Sequence, residues 1–348
     1  MIDVIKRLSK ERKEPSWILT ERIKSWQNFL KLEMPKGDEW KYKDLSKLDF
    51  SSINFGKSKI KIKAENAEEI DEFRECFFEE DKFDALNNAL FTEAAAFRLN
   101  DGRIRIDVDV KDWFFAKLLL VTDGNTKIEE RIKGRGNAFL CCKVIAKGRV
   151  NYTYLQLTEK GFVYNHKNIL LVQDSASTFE FFEAGGDVSR LKIGVEVGKN
   201  SSSIIKGGYL GIKDQHFNIV TNVVHKEKYG ESTVLIKGVM KDKASSTCFG
   251  SIAIEKNAQK SNSSLSGHML LIDEGQANVI PSLKIDANDV SAKHAATVSQ
   301  PNEEQLFYLM SRGIERKMAE SMIIKAFFEE IKEINKEEIK RIIEEKLL

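Results

Sequence analysis

The strongest constraint on the fold is a long run of short β-type segments between about residues 100 and 298, separated by Gly, Asn, Asp and Ser and almost free of helical pattern. Residues 104–110 alternate strictly between apolar and charged side chains, which is typical of a strand. From residue 200 onward the segment centres recur every ~15 residues, so two segments per coil give ~30 residues per coil, as in a β-solenoid. A β-sandwich, with strands about every 8–12 residues, is the alternative.

Helical patterns flank this region on both sides. An apolar stripe at three- and four-residue spacing runs through Trp17, Ile18, Ile23, Trp26, Phe29 and Leu30. A short alternating strand is predicted at 59–63, and helices are predicted at 65–78 and 82–97. After Pro301 three more helices are predicted, the last at 336–348. We therefore divide the chain into an N-terminal helical region (1–98), a β core (99–298) and a C-terminal helical domain (299–348).

Charge and hydrophobicity exclude several broad classes of protein. Lys and Arg number 55 against 53 Asp and Glu, so bulk charge gives no argument for nucleic-acid binding. No apolar run approaches the length of a membrane span. The first residues lack the apolar stretch of a secretory signal, and we expect a cytoplasmic location with no membrane partner.

The sequence carries no enzyme motif and no self-contained metal motif. Its four cysteines are Cys76, Cys141, Cys142 and Cys248, and no two of them form a C-x-x-C pair. Cys141 and Cys142 are adjacent on a predicted strand, so their side chains point to opposite faces and cannot readily hold one metal ion. We interpret all four as small core residues. P-loop, G-x-S-x-G and H-E-x-x-H patterns are absent.

Several segments resemble one known family. Residues 286–298 (DANDVSAKHAATV), 303–314 (EEQLFYLMSRGI) and 322–328 (MIIKAFF) closely resemble the C-terminal signature of the SufB/SufD family of iron–sulfur cluster assembly scaffolds. Residues 239–244 and 254–260 are similar to the family core, and 14–17, 34–42 and 83–91 to the N-terminal part of SufD-like members. The resemblance covers most of the chain, is weakest between about 120 and 200, and is most specific at the C-terminal end.

The resemblance implies a mainly β fold, with a right-handed parallel β-helix core flanked by N-terminal and C-terminal α-helical regions. It also implies a role as a non-catalytic scaffold subunit of the SUF machinery. Such a subunit pairs with a SufB-type paralogue or with itself, and its C-terminal domain binds a SufC-type ATPase. A transient iron–sulfur cluster, or iron, is then expected at the subunit interface, and no cofactor is expected in the isolated chain.

His294 is the main candidate site residue, because the resemblance places the histidine of this stretch at the cluster assembly site. Imidazole is a competent iron ligand. Counting back one coil from His294 without gaps places Ser266 where primary scaffold members of the family carry a cysteine. Ala295 stands where SufB-type chains have a carboxylate directly after the histidine. Both differences make the chain resemble SufD-like members. His268 is predicted to stack near His294 as a second metal residue, with a packing histidine as the alternative.

The apolar stripe Met322, Ile323, Ala326 and Phe327 is the candidate partner-binding surface. It either packs inside the helical domain or receives a partner helix, and the resemblance points to the ATPase.

Two further hypotheses for the function of the chain stay open. A polysaccharide-binding β-solenoid has clustered acids at Asp286 and Asp289 but few aromatic residues near them. The second is a purely structural homodimer that bridges ATPases and binds no metal. Only the predicted metal-binding role of His294 distinguishes the scaffold hypothesis from it.

Overall fold

The computed structural model describes residues 1–45, 48, 50, 53–55, 58–71, 74–331, 334 and 336–348. The fold is a parallel β-solenoid of about 8 turns with helices at both ends, and 51% of the described residues are in strands. The mainly β fold predicted from the sequence is confirmed. The helices are α1 (Ile2–Glu11), α2 (Ser16–Lys31), α3 (Lys82–Leu90), α4 (Glu303–Ser311), α5 (Arg316–Phe327) and α6 (Lys336–Leu347).

Sixteen strands within the described residues form one continuous sheet. They are β1 (Lys59–Glu69), β2 (Glu93–Val110), β3 (Trp113–Asp123), β4 (Asn125–Arg135), β5 (Asn137–Ala146), β6 (Arg149–Lys160), β7 (Phe162–Leu171), β8 (Ala176–Glu183), β9 (Val188–Val197), β10 (Ser202–Gly211), β11 (His216–His225), β12 (Glu231–Met240), β13 (Ser245–Ile254), β14 (Asn262–Leu271), β15 (Gln276–Ile285) and β16 (Ser291–Ser299).

The strand order shows how the sheet closes into a solenoid. Odd-numbered strands from β3 to β15 stack on one face, even-numbered strands from β4 to β16 stack on the other, and the long β2 joins the two faces. Neighbouring strands within each face are parallel, as in β11 against β13, where His216 pairs with Ser245. These paired residues are 29 positions apart, so each coil contains two strands, as the periodicity predicts. The parallel pairing excludes the β-sandwich alternative, whose sheets are antiparallel.

Turns between successive strands of the later coils contain residues in the left-handed backbone region. Lys213, Asp242 and Asp273 have φ values of 58°, 59° and 57° in successive coils. The Asp242 carboxylate accepts a hydrogen bond of 2.9 Å from the Lys213 backbone N–H of the coil before it. This hydrogen bond joins the same turn of two successive coils and therefore helps to keep the turns in register.

The interior of the solenoid is mostly apolar, and its middle coils contain a buried polar cluster. Glu130 accepts hydrogen bonds from Lys167 (2.5 Å), Asn165 (3.1 Å) and the Tyr152 hydroxyl, and the Glu130 and Lys167 side chains are both fully buried. Buried ions require such partners because their loss of hydration is costly.

Glu183 lies in the same interior, and no cation pairs with it among the described residues. Its carboxyl group accepts hydrogen bonds from Tyr154 (3.2 Å) and Ser189 (3.0 Å). Burial raises the pKa of Glu183 to about 7, although these two hydrogen bonds act in the opposite direction. The carboxyl group is therefore uncharged in the folded chain at mildly acidic pH.

This burial makes the stability of the chain pH-dependent. The raised pKa gives a contribution to folding that is complete below about pH 4.5 and is lost as the pH rises through about 7. We expect Glu183→Gln to match the native free energy of unfolding at pH 4.5 and to exceed it above pH 7 by a few kcal/mol, at about 1.4 kcal/mol per unit of pKa. Chemical denaturation of both proteins across this pH range measures the difference, and parallel stability curves would contradict the assignment.

The two ends of the solenoid differ. At the N-terminal end, β1 pairs antiparallel with β2 and closes the first coil. The α-helix predicted at 65–78 is wrong for the described residues of that range, because β1 continues to Glu69 and Arg74–Cys76 form a short 3₁₀ helix; Glu72 and Phe73 lie outside the described residues. The helix predicted at 82–97 ends at Leu90, and β2 begins at Glu93. Pairing with β2 here outweighs the helical preference of Ala and Glu.

The N-terminal and C-terminal helices cover opposite faces of the solenoid. Phe83 of α3 packs against Phe139, Phe162 and Tyr164 on the odd-numbered strands. On the even-numbered strands, a Cβ at Gly208 would lie 2.5 Å from Ile331 and 2.9 Å from Phe328. The absence of a side chain at Gly208 thus lets the C-terminal helices approach the sheet closely.

Candidate functional site

The C-terminal end of the solenoid, formed by β15 and β16 and here called the open end, lacks a covering strand among the described residues. These two strands lie at the two ends of the strand order, so each pairs with a neighbour on one side only. Their other sides present unpaired backbone N–H and C=O groups, which template the addition of another strand. Apolar side chains that would be interior in an earlier coil are exposed here, including Ile285 (42%) and Val298 (48%).

His294 lies on this open end. It pairs in register with Leu265 of β14, whose side chain belongs to the solenoid core. Residues in register on parallel strands point to the same side, so His294 occupies an interior-type position in the last coil. Leu265 is buried and His294 is exposed because no further coil covers it. The imidazole is thus accessible at an edge that can be joined by another chain.

His294 alone supplies one metal ligand. The described part of the chain contains no group of three or more His, Cys, Asp or Glu residues placed to hold a metal ion. An exposed imidazole offers a single nitrogen donor, which suits iron. A cluster at this position would therefore need its remaining ligands from sulfide or from a second protein.

His268 does not lie beside His294. It pairs with Thr297, and its Nδ1 is 2.8 Å from the Thr297 hydroxyl oxygen on the outer face of the solenoid. The residue opposite His294 is Leu265, while Ser266 pairs with Ala295. The ungapped count from His294 back to Ser266 is one residue shorter than the coil, which runs from His294 back to Leu265. A shift of one residue along a strand moves a side chain to the other face, so His268 lies on the outer face rather than next to His294. Partial burial, followed by the nearby Lys237 charge, lowers the pKa of His268.

The four cysteines are buried, as the sequence predicts. Burial raises the pKa of Cys142 to about 11 and that of Cys76 and Cys248 to about 12, so these thiols stay protonated at neutral pH. The thiolate is the form that binds metal, which makes them poor ligands. Cys142 lies in the interior, whereas the Cys141 sulfur is 3.5 Å from Asp84 on the outer face, so the two do point apart.

A second candidate site is an apolar groove between α4 and α5, here called the docking groove. It has a volume of about 430 Å³ and is lined by Glu304, Gln305, Tyr308, Leu309, Met322, Ile323 and Ala326. Three of the four predicted partner-binding residues thus face it. The fourth, Phe327, packs on Phe328, with a ring-centroid distance of 5.5 Å, and on the Lys237 ammonium.

The α4 wall of the groove was missed in the sequence. Leu306 is the buried residue of this helix, while Phe307 and Tyr308 are 75% and 56% exposed. Two large aromatic side chains in the open are unusual for a surface helix and mark an interaction surface. The adjacent Phe307 and Tyr308 were visible in the sequence, but the helical spacing of apolar residues does not distinguish an exposed aromatic side chain from one packed in the helical domain.

Residues 116–327, more than half of the chain, match the family described as "SUF system FeS cluster assembly, SufBD core domain". The chain belongs to the SufB/SufD family. It is 31% identical over 177 residues to the iron–sulfur cluster assembly protein SufD of Escherichia coli, covering 50% of this chain and 42% of that protein. It is 42% identical over 121 residues to SufD of Bacillus subtilis, covering 34% of this chain and 27% of that protein.

A longer match to a SufB/SufD-family member extends over most of the chain. Iron–sulfur cluster assembly protein SufB of Bacillus subtilis is 26% identical over 363 residues, covering 92% of this chain and 76% of that protein. The matches to the two SufD proteins span less than half the length of those relatives. Among the described residues, no helix combines the length and the apolar character needed to cross a membrane.

Proposed function

We propose that this chain is a scaffold subunit of the SUF iron–sulfur cluster assembly machinery. It pairs through its open end with a SufB-type paralogue or a second copy of itself, and it binds a SufC-type ATPase through the docking groove. The observation that carries this proposal is the exposure of His294 on the solenoid end formed by β15 and β16, each of which pairs with a neighbour on one side only among the described residues. Membership of the SufB/SufD family supports it.

The contrast between the two solenoid ends supports pairing at the open end. The N-terminal end is closed by β1, which carries Lys59, Lys61 and Lys63. Lysines along an edge strand are a usual protection against strand addition. β15 and β16 instead combine unpaired backbone groups with apolar side chains such as Leu283 and Val298. A partner strand added there would satisfy the backbone and bury these side chains.

His294 would act as an iron ligand at that interface. Its neutral imidazole nitrogen binds iron, and a ligand from the paired subunit would complete the coordination, so that the cluster is a transient cargo of the assembled complex. The chain itself needs no catalytic group in this role. The chemical energy comes from the ATPase, whose closure would shift the population of interface conformations.

The docking groove supports the ATPase assignment. Its apolar floor of Met322, Ile323 and Ala326 and its polar rim of Glu304 and Gln305 have the form that receives an amphipathic helix. The polysaccharide-binding alternative receives no support here, because Asp289 forms an ion pair with Lys260 rather than standing beside a second free carboxylate.

We expect His294→Ala to lower iron loading of the paired complex at least about tenfold, while pairing and ATPase binding persist, because only a metal ligand is removed. Iron per complex after anaerobic reconstitution, together with maturation of an acceptor apoprotein, measures the effect. Lys293→Ala is the matched control, since Lys293 is the exposed preceding residue on the same strand. Full maturation activity in the His294 variant would favour the purely structural, ATPase-bridging homodimer.

A further inference from the structure

The outer side of the solenoid carries a local excess of positive charge near its N-terminal end. Residues in register on β1, β2 and β4 point to the same side of the sheet, and within 59–65, 103–109 and 127–133 alternate residues point outward. All of these outward residues are charged. The cations are Lys59, Lys61, Lys63, Arg103, Arg105, Lys127, Arg131 and Lys133, and the carboxylates are Glu65, Asp107, Asp109 and Glu129. Eight cations and four carboxylates leave a net charge of +4 on this surface, here called the basic face, whereas the whole chain carries +2.

A cleft with a volume of about 320 Å³, here called the basic cleft, opens where the basic face meets α6. Four cations of the face line it, namely Arg103, Arg105, Lys127 and Arg131. Thr153 and Leu155 of β6 and Glu338 of α6 also line it. The volume lies within the range of small-molecule sites, about 300–1,000 Å³. The cleft shares no lining residue with the docking groove, and β2 and β4 lie in the middle of the strand order, away from β15 and β16.

The cations of the basic cleft outnumber the carboxylates that pair with them. The ion pairs among the described residues are Arg103 and Lys127 with Glu129, Arg105 with Asp107, and Arg131 with Glu338. Glu129 thus serves two cations, at 2.6 Å and 3.0 Å. Glu130 also lines the cleft, but its charge is balanced by Lys167 in the solenoid interior. The charge balance of the cleft therefore favours an anion from outside the chain.

The ion pairs of the basic cleft can be exchanged for such an anion. The side chains of Arg103, Arg105 and Lys127 are 50%, 52% and 49% exposed. Ion pairs that are this open to water contribute little to stability, because water screens the two charges. An anion that carries more charge than one carboxylate can therefore replace Glu129 or Asp107 as the partner of these cations.

The spacing of the cations fits a group with several charged oxygens. Arg103 and Arg105 are two positions apart on β2, so their Cα atoms lie about 7 Å apart on one face of the strand. Lys127 is in register with Arg103 on the neighbouring strand, at a strand spacing of about 4.8 Å. A guanidinium group binds phosphate oxygens through two parallel hydrogen bonds, and a lysine ammonium adds a point charge. A diphosphate group has enough charge and enough oxygens to contact all three side chains.

From this charge and spacing we infer that the basic cleft binds a small molecule that carries a diphosphate group, with Arg103, Arg105 and Lys127 as its binding residues. The group arrives either as the free diphosphate ion or as part of a nucleoside diphosphate. The inference does not depend on iron binding, on pairing at the open end or on the ATPase, because none of these three residues takes part in those proposals.

Isothermal titration calorimetry of the full-length chain tests the basic cleft, with sodium pyrophosphate and ADP as separate probes in buffer free of divalent cations. We expect saturable binding, and we expect Arg103→Gln/Lys127→Gln to weaken it at least about tenfold, because hydrogen bonds between charged groups and phosphate are strong. Arg105→Gln is a second variant with the same expected direction, and it leaves the partners of Glu129 in place. Equal affinity for the two probes would identify the free diphosphate ion as the ligand, and tighter binding of ADP would identify a nucleotide.

Lys59→Gln/Lys133→Gln is the matched control for the charge of the basic face. These two lysines flank Asp109 in register on the same face, and they lie outside the lining of the cleft. We expect the control to bind pyrophosphate within about threefold of the native affinity at 0.15 M salt, where exposed charges more than about 8 Å apart are largely screened. Absence of saturable binding of both probes, native affinity in both cleft variants, or an equal loss in the control would overturn the inference.

Discussion

Aspartate at Met322 and Ala326 together is expected to reduce the affinity of the chain for a SufC-type ATPase at least about 100-fold. Both side chains line the docking groove, and Met322 is 41% exposed in the free chain. Truncation of a central interface residue commonly costs about 2 kcal/mol or more, and a carboxylate buried without a partner costs further free energy. Isothermal titration calorimetry with the purified ATPase measures the change.

The chain offers a closely matched control for this experiment. Met318 lies on the same helix and is 40% exposed, but it is outside the groove lining. We expect Met318→Asp to bind the ATPase within about threefold of the native affinity, because surface changes outside an interface core have small effects. Native affinity in the Met322/Ala326 double variant would place the ATPase elsewhere on the chain. Equal losses in both proteins would point to a general disturbance of α5.

The second large effect is expected inside the solenoid, at Lys167. Lys167→Ala removes the cation that pairs with Glu130, while the carboxylate stays fully buried and keeps Asn165 and Tyr152 as its donors among the described residues. Breaking a buried ion pair at one partner destabilises a protein by about 3–5 kcal/mol. Urea denaturation at pH 7, followed by circular dichroism of the β core, measures the loss.

The double variant Glu130→Leu/Lys167→Met is the matched control for the ion pair. Replacing both charges by apolar side chains of similar size leaves no unpaired ion, and we expect it to recover most of the loss. A single Lys167→Ala variant that loses less than about 1 kcal/mol would contradict the importance of this ion pair for the stability of the solenoid.

Much of the fold was predictable because strand alternation is a local property. The alternating residues 104–110 lie within β2. The predicted coil of ~30 residues with two segments agrees with the pairing of His216 with Ser245, one coil later in the chain. The segment from Glu65 to Glu69 was not predictable in the same way. Its Ala and Glu residues favour helix, and its strand conformation comes from pairing with β2.

The sequence named candidate site residues but not their geometry. The roles of His294 and of the three groove residues stay predictions, whereas the relation between His268 and His294 depended on a coil of 29 residues, one more than the ungapped count that placed Ser266 opposite His294. One residue decides which face of a strand a side chain takes. The α4 wall of the groove was missed because exposed aromatic residues cannot be told from packed ones by spacing.

The sequence by itself determined most strands of the β core, the three C-terminal helices and the family, since each depends on local pattern or on matching segments. The tertiary structure decided which side chains meet: the burial of Glu183, the pairing of His268 with Thr297, and the exposure of His294 on the last coil. These depend on register and on where the stacking of coils ends. Both are set by contacts between residues about one coil apart, which no local pattern records.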